Sequence, residues 1–434
     1  MRTVKKINLK PSHELKNKLL SWAQQFEEVV WLDSNSGANQ KNLNYTSFDC
    51  ILAVDALTSI KTDFHEAFDK LEEYHKHAAD WVFGYLTYDL KNAVTDLSSN
   101  NVDGSKFPEL YFFQPKKIIL LKGQTLELHY LHFVADEIED DLNSIFKNKT
   151  PKQTKEIPKP VIEARTSKKA YIDKVKEMQH HIQQGDIYEA NFCMEFFAEQ
   201  ATIEPLHTFL KLNSISEAPF ACFLKLESNY LLSASPERYL KKEGNKIISQ
   251  PIKGTAPRSQ NQELDTQLAA TLKSDEKERS ENIMITDLVR NDLSRTAKRG
   301  SVYVEELCGL YTFKQVHQLI STIISEVETE TTITDVLKTT FPMGSMTGAP
   351  KESALKIIEK LEDNKRGLYS GSVGYISPQG DADFNVVIRS ILFNETLKYL
   401  SFSVGSAITF KSDPEKEYEE CILKSKAMRQ VLES

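Results

Sequence analysis

The stretch SKKAYIDKVKEMQHHIQQGDIYEANFCMEFF, residues 167–197, carries two different hydrophobic periods side by side. In its first half, apolar residues recur at the spacing of one helix face: Tyr171, Val175, Met178 and Ile182. Gly185 is a typical residue to end a helix. From Asp186 onward, apolar and polar residues alternate as they do in a β-strand. The stretch therefore predicts a helix followed directly by a strand.

The predicted strand has two chemically distinct faces. The apolar face comprises Tyr188, Ala190, Phe192, Met194 and Phe196. The other face comprises Glu189, Asn191, Cys193 and Glu195. A strand that is buried on one side turns such a polar row toward solvent or toward a cleft. Solvent is the commoner place for any single residue of the row.

The elements around this stretch decide the fold class. Strands dominate to about residue 255, and a long helix is predicted from about residue 275 to 298. The segment DPEKEYEECILKSKAMRQVLE, residues 413–433, is a final helix with Asp413 as its N-cap and Pro414 at its first position. Strands and helices do not alternate strictly. The sequence thus predicts an α+β protein with large antiparallel sheets.

One segment divides the chain. Residues 147–167 carry three prolines and many lysines with few apolar residues, which is typical of an extended, solvated connection. We therefore predict an N-terminal region at 1–150 and a second region at 165–434.

Composition excludes several classes of protein. The 434 residues are 40% apolar and 27% charged with a net charge of −8, so a basic nucleic-acid surface is not expected. No apolar run approaches the roughly 20 residues of a membrane helix, and no secretory leader is apparent. The five cysteines are scattered, which favours a reducing cytoplasm over a disulfide framework.

Two predicted helix starts carry pairs of acids three residues apart: Glu278 and Glu281, and Glu417 and Glu420. This spacing puts both acids of a pair on one helix face. Clustered carboxylates suit a hard cation such as Mg²⁺. They equally suit a helix dipole, and Glu420 with Lys424 is also a plain surface pair.

Three further segments carry residues suited to catalysis or to ligand binding. QPIKGTAPR, residues 250–258, sets Lys253 in a constrained turn, as a nucleophile would require. FPMGSMTGAPK, residues 341–351, is a small-residue loop before a helix, suited to an anion or to ordinary helix entry. Arg389 sits in an apolar strand pattern, where a carboxylate clamp and an internal ion pair are equally expected.

The motifs SPERY, PIKGTAPR, KERSENIMITDLVRNDLSR, FPMGSMTGAPK, RGLYSGSVGYIS and GSAITFKSDPEKEYEECILK occur in this order between residues 235 and 424. The series closely resembles the chorismate-utilising enzymes. The resemblance covers about residues 165–434, which makes this region the chorismate-binding catalytic domain, and 1–150 resembles the N-terminal part of anthranilate synthase component I. It implies an antiparallel β-sandwich with outer helices and a central cleft.

The resemblance implies a role for each matching residue. Glu281 and Glu420 match direct Mg²⁺ ligands, with Glu278 and Glu417 in support. Seven positions match groups that hold the substrate: Thr255, Thr347, Gly348, Tyr369, Arg389, Gly405 and Lys424. Glu237 matches a general acid for the departing C4 hydroxyl. Lys253 matches a nucleophile, and its pKa would be lowered by burial, by Arg258 or by the metal.

The PIKGT motif resembles the branch of the family that aminates chorismate at C4, where the anthranilate branch has alanine. This implies formation of 4-amino-4-deoxychorismate, on the route to p-aminobenzoate and folate. The chain lacks the cysteine elbow of a glutamine amidotransferase, so ammonia would come from a separate amidotransferase subunit. The alternatives are 2-amination with pyruvate loss, as in anthranilate synthase, and a non-catalytic chorismate-binding subunit.

Two positions depart from the family pattern. Relatives that add water have lysine as a base at position 189 and aminating relatives have glutamine, whereas this chain has Glu189. A carboxylate there is itself a candidate base. Many relatives have histidine where this chain has Gln318.

Overall fold

The computed structural model describes residues 1–9, 12–36, 43–148 and 157–433. The strands in them are β1 Arg2–Asn8, β2 Glu28–Asp33, β3 Cys50–Thr62, β4 Val82–Leu86, β5 Leu110–Lys122, β6 Thr125–Leu131, β7 Glu163–Ala164, β8 Glu189–Ala198, β9 Phe220–Leu226, β10 Asn229–Ser235, β11 Arg238–Glu243, β12 Lys246–Gln250, β13 Ile252–Pro257, β14 Tyr303–Thr312, β15 Val316–Glu326, β16 Gly348–Ala349, β17 Ser372–Ile376, β18 Ala382–Asn385, β19 Ser390–Asn394 and β20 Tyr399–Ile408. The α-helices are α1 His13–Ala23, α2 Ala67–Ala78, α3 Ile138–Lys147, α4 Lys168–Gln184, α5 Pro205–Ser216, α6 Gln262–Ser274, α7 Glu276–Ser294, α8 Ile333–Thr340, α9 Lys351–Leu361 and α10 Pro414–Glu433. Short 3₁₀ turns span Tyr88–Ala93, His132–Glu137 and Gly344–Met346.

The strands form two antiparallel layers that share the long strands β3 and β5. The first layer runs in the order β1, β6, β5, β3, β2, β9, β10, β19, β20 and β8. The second continues from β5 through β4, β17, β18, β11, β12, β15 and β14, with β13 also paired to β15. A register shift between Ala56 and Thr58 separates the part of β3–β5 that serves each layer.

The hydrophobic core follows the alternation of the shared strands. Leu52 and Val54 of β3 pack into a cluster that includes buried residues of α1, α3, α4, α5 and α10. Ile51 and Ala53, on the opposite face, pack with residues of the second layer such as Phe83. Successive strand residues point to opposite faces of a sheet. The first layer therefore packs against helices on its outer face and against the second layer on its inner face. This is the predicted α+β sandwich, and the fold prediction is confirmed.

Three helices predicted from local sequence patterns are confirmed. Helix α4 ends at Gly185, whose φ of +84° is the left-handed conformation that glycine tolerates. Helix α10 begins at Pro414, and the Asp413 carboxylate accepts a hydrogen bond from the Glu415 amide. Helix α7 lies within the predicted bounds.

Three local expectations are wrong. The polar row of β8 is buried and not solvated, since Glu189, Asn191, Cys193 and Glu195 are each at most 7% exposed. Tyr188, predicted on the apolar face, is 71% exposed because it lies before the first strand residue. Arg389 lies between β18 and β19 with a φ of +54°, outside both strands.

The two regions on either side of the predicted connection contribute neighbouring strands to both layers. Strand β2 pairs with β9, and β4 pairs with β17. Residues 149–156 of the predicted connection lie outside the described part of the chain. In the described residues, no helix has the length and apolar character needed to cross a membrane.

Candidate active site

A buried lysine and a buried glutamate form an ion pair in the cleft between the layers. The Lys253 Nζ on β13 donates a hydrogen bond to the Glu189 Oε1 at the start of β8, over 3.1 Å. The Glu189 side chain is 2% exposed and the Lys253 side chain 14%. The second carboxylate oxygen of Glu189, Oε2, is buried without a hydrogen-bond partner.

The backbone around Lys253 is held in place from two sides. The next residue, Gly254, has a φ of +95°, which a residue with a side chain adopts only with strain. The Asn282 side chain, on α7, donates to the carbonyl oxygens of Lys253 and Leu319, each over 3.0 Å. Asn282 was not singled out from the sequence, although it directly follows Glu281. The backbone around Lys253 is thus constrained as predicted, but it is an irregular part of strand β13, with a register shift between Ile252 and Thr255, and not a turn.

The protonation of Lys253 differs from the expectation. Burial lowers its pKa, but the carboxylates of Glu189, Glu281 and Glu420 outweigh burial and leave the pKa raised. Arg258, which was expected to lower it, is turned away and pairs with Asp265 over 2.9 Å. The free protein thus holds Lys253 as an ammonium ion.

Glu237 has the properties of a general acid. It lies between β10 and β11 and is 4% exposed. Burial raises the pKa of its carboxyl to about 7, against smaller opposing effects of the Ser345 hydroxyl and of Lys253. The neighbouring Arg238 pairs with Asp383 and not with Glu237, so no adjacent ion pair holds the Glu237 carboxyl in its charged form. A carboxyl with this pKa keeps its proton near neutral pH and can donate it.

The two acid pairs face each other across the cleft at the starts of α7 and α10. Lys277 lies within electrostatic reach of Glu278, Glu281, Glu417 and Glu420. Burial raises the pKa of Glu281 to about 7 and also raises the pKa values of Glu278 and Glu417. Glu420 differs, because Lys424 outweighs burial and lowers its pKa. Glu420 and Lys424 thus do form the ion pair that was one interpretation of their spacing.

The negative charge of these carboxylates suits a bound cation, but the described side chains alone do not complete a metal site. Among the described residues, no three acidic, histidine or cysteine side chains converge closely enough to hold a metal ion. The pKa values of Glu278, Glu281 and Glu417 are raised first by burial and then by neighbouring carboxylates, so a cation bound there would be favoured. Oxygen donors with open positions are what Mg²⁺ prefers when a substrate completes its coordination.

Basic groups of the predicted substrate set meet beside Glu420. The Lys424 Nζ donates to the Gly405 carbonyl oxygen over 2.8 Å. The Arg389 Nη1 donates to the Lys424 carbonyl oxygen over 3.0 Å, so the partner found for Arg389 among the described residues is a backbone group and not the carboxylate of an internal ion pair. Burial lowers the pKa of Arg389, as expected for a cation short of anionic partners. Arg389 and Lys424 thus form a basic pair that suits a carboxylate ligand.

The other predicted substrate residues line the same strand, β8. The Thr347 carbonyl oxygen accepts from the Asn191 amide over 2.6 Å. A methyl group at Gly348 would lie 2.2 Å from the Glu189 carbonyl oxygen, so this glycine allows β16 to approach β8. Tyr369 is buried, with its hydroxyl 3.9 Å from the Cys193 Sγ. Gly405 likewise has no room for a side chain, because a methyl group there would lie 2.6 Å from that sulfur.

Thr255 stands apart from these residues. It is exposed and pairs in register with Gln318 of β15. Gln318 is buried, and its side-chain oxygen lacks a hydrogen-bond partner. The preceding His317 is bound to Asp265 and Thr312.

A buried charge network behind the substrate loops was not predicted. The Arg366 guanidinium, 1% exposed, donates to both carboxylate oxygens of Glu362 over 2.9 and 2.7 Å. It also donates to the carbonyl oxygens of Met346 and Asn191 over 2.7 and 2.8 Å. The only signal in the sequence was an arginine directly before the glycine of the RGLYSGSVGYIS motif. The network joins β8, the 344–348 segment and the Tyr369 loop.

The two-layer sandwich is that of known chorismate enzymes. The structure of anthranilate synthase component I from Streptococcus pneumoniae superposes with a TM-score of 0.77 at 23% identity, covering 92% of this chain and 95% of that one. The family of chorismate binding enzymes matches residues 27–430, and the chain belongs to this family. The resemblance stated from the motifs is confirmed.

Curated relatives carry two kinds of name. The chain is 33% identical to an anthranilate synthase component I-like protein of Synechocystis, over 81% of this chain and 72% of the relative. It is 33% identical to the aminodeoxychorismate synthase of Streptomyces griseus, over 82% of this chain but half of that longer protein. It is 28% identical to aminodeoxychorismate synthase component 1 of Bacillus subtilis, over 95% of both.

Proposed function

We propose that the chain aminates chorismate at C4 to give 4-amino-4-deoxychorismate, with Mg²⁺ and with ammonia from a separate glutamine amidotransferase subunit. The observation that carries this proposal is Lys253, whose backbone on β13 is held by Asn282 and by the positive φ of Gly254 within the PIKGT motif. Relatives named aminodeoxychorismate synthase support it. The five free, buried cysteines agree with a cytoplasmic enzyme of folate biosynthesis.

The cleft residues divide the work of binding. Arg389 and Lys424, with the Tyr369 hydroxyl, would hold the carboxylates of chorismate. Glu281 and Glu420 would hold Mg²⁺, supported by Glu278 and Glu417. When bound, Mg²⁺ supplies a positive charge that offsets a substrate carboxylate. Glu237 would protonate the C4 hydroxyl as it leaves, because hydroxide alone is a poor leaving group.

The substitution itself would take two steps. The neutral Lys253 amine forms a bond to C2 while both ring double bonds shift toward C4 and the C4–O bond breaks. Ammonia then bonds to C4, both double bonds shift back, and the C2–N bond to Lys253 breaks. An immobilised nucleophile removes much of the entropic barrier of the first step.

Anthranilate synthase activity is the second candidate, favoured by the Synechocystis relative. It requires no lysine nucleophile, so Lys253 weighs against it. A non-catalytic chorismate-binding subunit is the third. It would have no use for a buried carboxyl whose pKa is raised to about 7, as that of Glu237 is.

The chain supplied with chorismate, Mg²⁺ and ammonium is expected to form 4-amino-4-deoxychorismate, identified by liquid chromatography and mass spectrometry. Glutamine in place of ammonium is expected to give no product until an amidotransferase subunit is added. Anthranilate with released pyruvate would contradict the proposed reaction. Turnover of glutamine by the chain alone would contradict the partner.

The substitutions Glu281→Gln and Glu420→Gln are each expected to lower Mg²⁺-dependent turnover by at least about a hundredfold, since each removes a charged ligand. Mg²⁺ affinity, followed by calorimetry, should rise when chorismate is present because the protein ligands alone are few. Glu276→Gln and Glu419→Gln, at exposed positions of the same two helix starts, are the matched controls. Full activity of both first variants at limiting Mg²⁺ would refute the assignment.

A further inference from the structure

A nucleophilic lysine needs a route for its proton. Only the neutral amine attacks carbon, and an ordinary lysine has a pKa near 10.4. In this cleft five carboxyl groups act on Lys253: Glu189 on β8, Glu237 after β10, Glu278 and Glu281 on α7, and Glu420 on α10. Burial favours loss of the proton, but the carboxylates together outweigh it. The amine must therefore be released within the cleft during the reaction.

Of the five carboxyl groups in the described structure, Glu189 has the contact needed to receive that proton. Its Oε1 is 3.1 Å from the Lys253 Nζ, which is within the reach required of a general base. Its Oε2 is buried and unpaired, so the carboxylate is not stabilised by any second donor. Once the remaining water is excluded, a buried ion pair has a higher desolvation free energy than a neutral amine beside a neutral acid.

Both partners are fixed by the fold. Glu189 begins β8 and pairs in register with Ala349 of β16, and the close approach at Gly348 leaves its backbone no room to move. Lys253 is held through its own carbonyl by Asn282. Base and nucleophile therefore keep their geometry without help from the substrate, as general-base activation of a nucleophile requires.

We propose that Glu189 is the general base that takes the proton of the Lys253 ammonium group, so that the two residues act as one nucleophilic pair. This inference rests on the proposed function, in which Lys253 attacks chorismate. It gives the carboxylate at position 189 a role in the amination.

The proton balance of the cycle closes. Glu189 takes one proton from Lys253 as the C2–N bond forms, and Glu237 gives one to the leaving hydroxyl, which departs as water. When ammonia has bonded to C4 and the C2–N bond has broken, Lys253 leaves as the neutral amine and recovers its proton from Glu189. The new C4 ammonium group returns a proton to Glu237. The sum is chorismate and ammonia giving 4-amino-4-deoxychorismate and water.

The test follows the covalent adduct on Lys253. Chorismate and Mg²⁺ are mixed with the chain without ammonia, and the adduct is timed by intact-protein mass spectrometry between about pH 5 and pH 7, where an ordinary lysine is protonated and the Glu237 carboxyl, with a pKa of about 7, still holds its proton. In the wild type the rate should change little over this range. In Glu189→Gln it should be about a hundredfold lower at pH 7 and rise close to tenfold per pH unit, as free amine accumulates.

Two further variants separate a chemical role from a structural one. Glu189→Asp keeps a carboxylate and should keep the flat pH profile at a reduced rate. Glu199→Gln, exposed just beyond the same strand, should match the wild type. A Glu189→Gln variant that forms the adduct as fast as the wild type, or faster, with a flat profile overturns the inference. So does a rising profile in Glu189→Asp.

The same experiment distinguishes failure of the inference from failure of the proposed function. If the wild type forms both the adduct and the 4-aminated product but Glu189→Gln is unaffected, the proposed function stands and Glu189 is not the base. If the wild type forms neither, the proposed function fails and the inference fails with it.

Discussion

Replacing Glu237 with glutamine is expected to lower kcat by about 10²- to 10⁴-fold, the usual contribution of a positioned general acid. Glutamine keeps the size of the side chain but has no acidic proton. The Glu237 carboxyl is 4% exposed, and burial raises its pKa to about 7. A group that must be protonated to act therefore loses activity as the pH rises through that value.

The pH profile gives this prediction its sharpest form. In the wild type, kcat/KM should fall above about pH 7, following the Glu237 pKa of about 7. In Glu237→Gln the small residual activity should lack this fall. Glu243→Gln, at the exposed end of β11, is the control and should retain the wild-type profile. A glutamine variant with undiminished kcat would show that the leaving hydroxyl takes its proton elsewhere.

Replacing Glu362 with glutamine is expected to lower the free energy of unfolding by about 3–5 kcal/mol, because it leaves the charge of a buried arginine uncompensated. Arg366 is 1% exposed and donates to both oxygens of Glu362. Its remaining hydrogen bonds reach two backbone carbonyls and the Ser370 hydroxyl, none of which carries a full charge. Urea unfolding of the two proteins, analysed with a common slope, measures the difference.

The helix directly before Glu362 supplies the matched control. Glu352 and Lys356 are a pair with the same four-residue spacing on α9, but this pair is exposed to solvent. Glu352→Gln should leave the unfolding curve unchanged, since exposed pairs contribute little. If Glu362→Gln also leaves it unchanged, the buried network does not stabilise the fold. A reduced kcat in a folded Glu362→Gln protein would further show that the network positions the Met346 and Tyr369 segments.

The parts of the fold that were predictable are those decided by neighbouring residues. The helix that ends at Gly185, the strand after it and the cap at Asp413 each depend on a few adjacent side chains. Which strands lie side by side is decided by tertiary packing, so the pairing of β4 with β17 had no local signal. Arg389 was misplaced for the same reason, because a backbone with positive φ leaves no mark on an apolar pattern.

Site residues were predictable where a motif carried them, but their interactions were not. Glu189 and Lys253 are 64 positions apart, and only the fold brings them into contact. The expected lowering of the Lys253 pKa was wrong because acids from three different elements act on it together. Arg366 was overlooked since two of its partners are backbone carbonyls, which have no residue-type signature.

The pairing of β4 with β17 has a consequence for how the protein folds while it is made on the ribosome. Strand β4 needs β17 as its neighbour, and their register partners Phe83 and Tyr375 lie far apart in the chain. At an elongation rate of about 5–20 residues per second, β4 waits roughly 15–60 s for that neighbour to be synthesised. The nascent N-terminal region therefore passes this interval with an open, apolar strand edge, which is a natural binding site for chaperones.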